Sequence, residues 1–310
     1  MPTLLETKLS ALRGWKMDSP YKLPTPSLIS FSGGRTSAYM LYHILKEYDF
    51  NLPDDVYVTF ANTGKEMPET LDFIQECATE WNIPVHWLEL EIGQERPIWR
   101  TREVTYETAA RDGRPFADLI KHTCIVPNPS TRICTRELKI NVMKRFMQSK
   151  GHKEWHNIVG LRHDEPRRVS NMRKANDKGT NAWETIMPLN DAMVSNEMVL
   201  DFWKNNSFDL KLPTYDGKTI AGNCDLCFLK NKAQLITMIK ERPELAEWWS
   251  EQEIKTLAER RRRHGQDTDK IVTTKFNKNY SYIDLVDLSE KTDEQLDLFA
   301  ESSISCFCTD

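Results

Sequence analysis

Apolar positions along the first two hundred residues fall into two alternating rhythms. Leu28, Ile29 and Phe31 have the continuous apolar character of a buried strand, and Leu41, Ile44, Leu45 and Tyr48 then recur at helical spacing. "DDVYVTFAN" predicts a second strand. Pro68 is placed to start a helix in which Leu71, Ile74, Ala78 and Trp81 line one face, and "VHWLEL" predicts a third strand. "TRELKINVMKRFMQ" is patterned as a helix, and "HNIVGLR" returns to strand before a charged loop. This alternation predicts an α/β fold with a parallel sheet covered by helices on both faces.

Two regions break the rhythm. Gly93 to Arg132 is rich in Pro, Arg and polar residues with no clear period, which predicts an excursion covering a substrate. From about Met198 the pattern is mostly helical, through "EMVLDFWKNN", "KAQLITMIKERPELAEWW" and "EQEIKTLAERRRRHG", and the chain ends in an acidic tail. The expected organisation is an N-terminal extension (1–27), a nucleotide-binding domain (28–240) and a helical C-terminal region (241–310).

Between the first strand and the first helix stand Gly33 and Gly34. A ligand can approach bare backbone there, and the first helical turn offers unpaired N–H groups at the positive end of the helix dipole. Ser32, Thr36 and Ser37 add hydroxyls, so the turn is a candidate anion site, most naturally for phosphate; the plainer alternative is a tight turn with Thr36 or Ser37 as the cap. Asn62, Thr63 and Gly64 follow the second strand, where open α/β sheets place ligands, and can meet adenine or ribose; alternatively they are only a helix-entry loop. Arg162 and Arg168 follow another strand end, and their guanidinium forks suit phosphate or sulfate unless Asp164 or Glu165 takes them.

Charge adds little. With Lys+Arg 42 against Asp+Glu 46 the formal charge is -4, so only a local patch would attract nucleic acid. Arg260 to Arg263 form such a run, against the ordinary reading of a solvated helix face. No long apolar stretch suggests a signal peptide or membrane span, which predicts a cytoplasmic protein with no membrane partner. Seven cysteines in a reducing compartment point to metal or redox chemistry more than to disulfides.

"SFSGGRTS" resembles the pyrophosphate loop of the adenine-nucleotide alpha-hydrolase (PP-loop) superfamily, and "FANTGKEMPETLDFI" resembles the strand-2 motif of the phosphoadenosine-phosphosulfate (PAPS) reductase family. "GLRHDEPRR" and "MPLNDAMVSNEMVLDFW" are similar to that family's later segments, in the expected order. The resemblance implies a Rossmann-like, HUP-type sheet and an adenine-nucleotide site at Ser32, Gly33, Gly34, Arg35, Thr36, Ser37, Asn62, Thr63 and Gly64, with Arg35, Arg162 and Arg168 acting on the phosphates. ATP-splitting members usually read Ser-Gly-Gly-x-Asp-Ser; Arg35 and Thr36 stand here before Ser37, which leaves ATP and PAPS both open as substrates.

"RICTRELK" and "NCDLCF" resemble the cysteine segments of cluster-bearing members, with Ile133 in place of the first of an adjacent cysteine pair. The resemblance implies Cys134, Cys224 and Cys227 as ligands of a 4Fe-4S cluster or zinc, with the fourth from Cys124, from Cys306 or Cys308, or from a small molecule; unligated thiols are the alternative. Cys77 reads as a small core residue. The implied activity is cleavage of ATP, with Mg2+, to adenylate an acceptor in sulfur-transfer or related chemistry, the acceptor including nucleic acid among its candidates. Thiol-dependent PAPS reduction and a non-catalytic nucleotide-binding module with a structural metal are the alternatives.

Overall fold

A computed structural model describes residues 19–215, 218–264 and 274–291. Strands β1 (Ser27–Ser30), β2 (Val56–Ala61), β3 (His86–Ile92), β4 (Trp99–Val104), β5 (Trp155–Ile158) and β6 (Trp183–Ile186) form one sheet in the order β4-β3-β2-β1-β5-β6. Every neighbouring pair is parallel except β3 with β4. The helices are α1 (Arg35–Glu47), α2 (Pro68–Glu80), α3 (Arg114–Thr123), α4 (Asn141–Ser149), α5 (Pro166–Lys178), α6 (Pro188–Asp191), α7 (Asn196–Lys204), α8 (Lys232–Glu241), α9 (Leu245–His264) and α10 (Tyr282–Lys291). A π-helical turn, Thr135–Ile140, leads into α4, and β7 (Thr214–Tyr215) pairs with β8 (Lys218–Thr219).

Central strands are covered on both faces: in β1, Ser27, Leu28 and Ile29 are all buried. Helix α1 buries Met40, Leu41, Ile44 and Leu45 against this sheet's core, each aliphatic side chain contributing about 1.5–3 kcal/mol relative to exposure. The same hydrophobic cluster takes in Trp249 and Tyr282 from the C-terminal helices and Phe276 from the segment before α10, so these share the sheet's core.

Three local expectations are corrected. The stretch after Gly93 contains an antiparallel edge strand, β4, and helix α3. The charged loop after Arg162 is largely helix α5, begun by Pro166 at its first turn. The helical pattern from Lys232 to Trp249 is two helices, α8 ending before Pro243 and α9 starting after it, as the missing proline N–H requires.

Candidate functional site

Connections leave β1 toward β2 on one side while β5 lies on the other, so the carboxyl ends of β1 and β5 frame the sheet's topological switch point. The glycine turn sits there. Gly33 has φ +81, and a Cβ on it would stand 2.7 Å from side-chain carbons of Thr70 and Ile74 on α2, so both the conformation and the space require glycine. Gly34 is the N-cap of α1 in extended backbone, with no side chain capping the helix. The Ser37 hydroxyl accepts from the Ser32 N–H (3.2 Å) and donates to the Gly34 carbonyl (3.0 Å), which folds the turn back on itself.

The end of β5 closes on this turn. A Cβ on Gly160 would lie 3.3 Å from the Cα of Ser37, so strand end and helix start meet backbone to backbone. Two residues on, Arg162 donates from Nη1 to the Thr36 hydroxyl (3.0 Å) and from Nε to Asp164 (2.9 Å), with its side chain nearly buried. One permanent cation is thus held at the first turn of a helix whose dipole already favours anions. Arg168 is ion-paired with Glu165, whose other oxygen accepts from the Arg162 N–H (3.0 Å). Both forks expected on phosphate meet neighbouring carboxylates, Arg168 on Glu165 and Arg162 on Asp164 with Glu165 3.8 Å from its Nη1, and the Arg168 pair braces the Arg162 loop.

Arg35 needs a correction. Its Nε and Nη2 donate to both carboxylate oxygens of Asp209 (2.7 and 2.8 Å), and it donates further to the Leu210 carbonyl, Thr214 and Thr219. A guanidinium has five donors, and all five are committed to the segment that follows α7. Arg35 therefore fastens that segment across the start of α1 and is not turned to the phosphate turn.

Asn62, Thr63 and Gly64 are at the carboxyl end of β2 as expected, but their side chains face inward. Asn62 donates to Glu89 (2.7 Å) and to the Ala110 carbonyl (2.9 Å), and accepts from the Gly64 N–H (3.1 Å). The Thr63 hydroxyl donates to Glu66 (2.9 Å) and lies 3.4 Å from the Cys224 sulfur. Residue Glu66 forms an antiparallel bridge with Cys224, and Lys65 pairs with Asp225 (2.8 Å), which also accepts from the Trp249 indole N–H (2.7 Å). This loop is the dock for the Cys224–Cys227 segment. Glu89, Glu66, Asp225 and Lys139, whose Nζ is 3.8 Å from Glu66, were not singled out in the sequence; the signal was an acid, Glu89, in the midst of the apolar strand "VHWLEL".

Cys224 and Cys227 are both buried, and burial, with Glu66 next, pushes the Cys224 thiol well up. Cys134 is half-buried before the π-turn that carries Lys139, while Cys124 ends α3 in a left-handed conformation, φ +53, and its carbonyl accepts from Arg260 (2.8 Å). Among the described residues no three His, Cys, Asp or Glu side chains converge so as to hold a metal ion. The described residues thus do not bring together the four ligands that the resemblance implied for a 4Fe-4S or zinc centre. Cys306 and Cys308 lie outside the described residues. Cys77 is fully buried in the core as expected.

Two arginines of the run are engaged within the fold. Arg260 is buried on the Cys124 carbonyl, and Arg262 forms a two-pronged pair with Glu259 (2.8 and 2.6 Å). No helix among the described residues is long and apolar enough to cross a membrane.

With the glycine turn at the sheet's switch point and Arg162 closing on it, the architecture is that of an adenine-nucleotide-binding α/β domain. Residues 26–211 match the phosphoadenosine phosphosulfate reductase domain, and the chain belongs to that family. The match takes in the glycine turn, the Asn62 loop and Arg162, and ends before Cys224. The uncharacterized nin region protein ORF290 of Escherichia phage lambda is 29% identical over 232 residues, 73% of each chain. The chain is also similar to the phosphoadenylyl-sulfate reductase of Candida auris in its phosphate complex, at 12% identity and a TM-score of 0.39, covering 68% of this chain and 90% of that one. For the U34-tRNA thiolase NcsA of Methanococcus maripaludis with its 4Fe-4S cluster, the figures are 16% identity, a TM-score of 0.37, and 91% and 78% coverage.

Proposed function

We propose that this protein binds ATP with its phosphates on the turn from Ser32 to Ser37 and splits it between the α and β phosphates, transferring the adenylyl group to an acceptor oxygen. The observation that carries the reading is the placement of Arg162, held by Thr36 over an α1 N-terminus that no side chain caps. The acceptor oxygen attacks the α phosphorus, the bond to the bridging oxygen breaks, and pyrophosphate leaves with the electron pair. Backbone N–H groups of the turn and the Arg162 guanidinium offset the charge that builds on the departing phosphates. Mg2+ would arrive with the nucleotide, held mainly by phosphates and water. The adenylylated acceptor is then open to displacement of AMP by a sulfur nucleophile, the sulfur-transfer or related modification the reading implies.

Family membership favours a second reading, thiol-dependent reduction of PAPS. It needs a reactive thiolate at the sulfate; Cys224 is buried with its thiol pushed up, and Cys306 and Cys308 lie outside the described residues. Incubation with ATP and with PAPS in parallel separates the two: AMP and pyrophosphate support adenylyl transfer, sulfite supports reduction, and nucleotide binding without product in either arm overturns both.

A further inference from the structure

Among the described residues, helix α5 carries a cluster of exposed positive charge, whereas Arg260 and Arg262 of the α9 run are engaged within the fold. Arg167, Arg173, Lys174 and Lys178 are exposed, and none has an ion-pair or hydrogen-bond partner among the described residues. Arg168, the fifth cation of the helix, is paired with Glu165, and Asp177 is its one acid. Four uncompensated cations on a 13-residue helix are a local feature in a chain of formal charge -4.

The arrangement is directional. Val169 and Met172 pack inward, and the Asn176 amide donates to the Thr185 carbonyl (2.8 Å) while its oxygen accepts from the Thr185 N–H (2.9 Å), fixing α5 to the edge strand β6. That leaves Arg167, Asn171, Lys174 and Lys178 along the outer side at helical spacing. From Arg167 to Lys178 the helix rises about 16 Å, the length of about five nucleotides at 3.4 Å each. Beside this face a cavity of about 390 Å3 is lined by His163, Ser170, Arg173, Lys174 and Asn190, with Asp177 its acidic member. No large apolar side chain is exposed on α5, so it has nothing to insert into a lipid surface. At its N-terminal end the helix is continuous with the loop carrying Arg162, through the Glu165 bond to the Arg162 N–H.

We propose that the acceptor is a nucleic acid whose phosphate backbone lies along α5 and is thereby led to the nucleotide site; this rests on the adenylyl-transfer reading. RNA and DNA share the backbone chemistry, and the test distinguishes them. Fluorescence anisotropy with a labelled 20-nucleotide single-stranded RNA and the matching DNA is measured between 50 and 200 mM salt. Wild type is expected to bind at least one. The variant R167Q/R173Q/K174Q/K178Q is expected to bind about 10-fold or more weakly at low salt, with a log–log salt slope shallower by about 3, near 0.7 per lost phosphate contact. The pair R167Q/K178Q should give about half that change, and R261Q/R262Q none. All these side chains are exposed, so melting temperatures and ATP affinity should match wild type. Equal slopes in wild type and the four-site variant, no binding of either strand at 50 mM salt, or displacement of RNA by poly-glutamate as readily as by unlabelled RNA would each overturn the proposal. AMP formation is assayed separately. Its absence with every acceptor removes the adenylyl-transfer reading and leaves docking on α5 to stand or fall on the binding data.

Discussion

Arg162 donates to the Thr36 hydroxyl at 3.0 Å, joining the end of β5 to the first turn of α1 across the sheet's switch point. Neither residue is near the other in sequence, yet the bond sets the guanidinium, paired with Asp164, beside the glycine turn, where the proposed function has it meet a phosphate. Arg162→Lys keeps the charge but loses the fork, and Arg162→Ala loses both. A charge-assisted hydrogen bond is worth about 1.5–3 kcal/mol, so ATP affinity should fall about 10-fold in the first variant and up to about 100-fold in the second. Adenosine affinity, read by titration calorimetry, should stay unchanged. If adenosine binding falls equally, Arg162 serves the fold and not the phosphates.

The two glycines of the turn should behave differently. Gly33→Ala forces a left-handed φ on a residue with a Cβ and drives that Cβ to within 2.7 Å of Thr70 and Ile74, a cost of at least about 2 kcal/mol. Gly34 is extended, φ -97 and ψ 164, which any residue adopts. Gly34→Ala should therefore melt near wild type, while Gly34→Val should lower ATP affinity by crowding the helix start. Thermal melts of the two alanine variants decide the matter, and equal melting temperatures would remove this account of Gly33.

Arg35 and Asp209 are a pair tied by two hydrogen bonds of 2.7 and 2.8 Å. Arg35→Ala should destabilise the protein by about 1–3 kcal/mol through loss of the fork and expose the segment after α7 to proteolysis, with ATP affinity changed less than about threefold. Asp209→Asn should reproduce most of that loss, and the double variant should show the non-additivity of a direct contact. A large fall in ATP affinity with unchanged stability would return Arg35 to the phosphates.

What was legible in the sequence was whatever shows as a period. β1, β2, β3, α1 and α2 carry apolar runs or stripes long enough to name, and the glycine turn lies where one rhythm gives way to the other. Strand β4, "WRTREV", was hidden because an edge strand with one open face can be polar at most positions. Helix α5 was hidden because only Val169 is buried on it, so its helicity rests on Pro166, on the Asn176 anchor and on packing against β6. Side-chain destinations were less legible still. Nothing local to Arg35 reveals Asp209, 174 positions away, and the spacing of Cys224 and Cys227 does not reveal that the loop of Thr63 and Glu66 packs on Cys224.

Thiol chemistry gives a test of that covering. Cys224 is buried with its thiol pushed up by burial and by Glu66, while Cys134 is half-buried. In native protein at pH 8, mass-mapped alkylation should leave Cys224 unmodified long after Cys134 reacts, since rate follows exposed thiolate. Glu66→Gln removes one of the charges that oppose ionisation, but Cys224 stays buried, so protection should persist. Rapid alkylation of Cys224 in folded wild type would show an accessible thiolate and overturn this account of its covering.

Glu253, on α9, holds the segment that leads into α10. Its carboxylate accepts the N–H groups of Phe276 and Tyr282, both at 3.0 Å, and it is buried. Burial pushes its pKa up to about 7, against the partial relief given by the Tyr282 and Phe276 N–H groups and Lys275. An acid whose folded pKa lies above its unfolded value binds more protons in the native state through the window between them. Stability therefore falls as pH rises from about 4.5 to about 7 and is flat in this contribution above that. A shift of that size corresponds to about 3 kcal/mol at most. Glu253→Gln sets an amide N–H against one of the two backbone donors, so it should lower stability at every pH but lose the slope. Urea melts of both proteins at pH 4.5, 5.5, 6.5 and 7.5 give the difference directly. The gap between them should narrow as pH rises; a gap that stays constant would mean that Glu253 is already ionised across the whole window, and that its two backbone hydrogen bonds outweigh its burial.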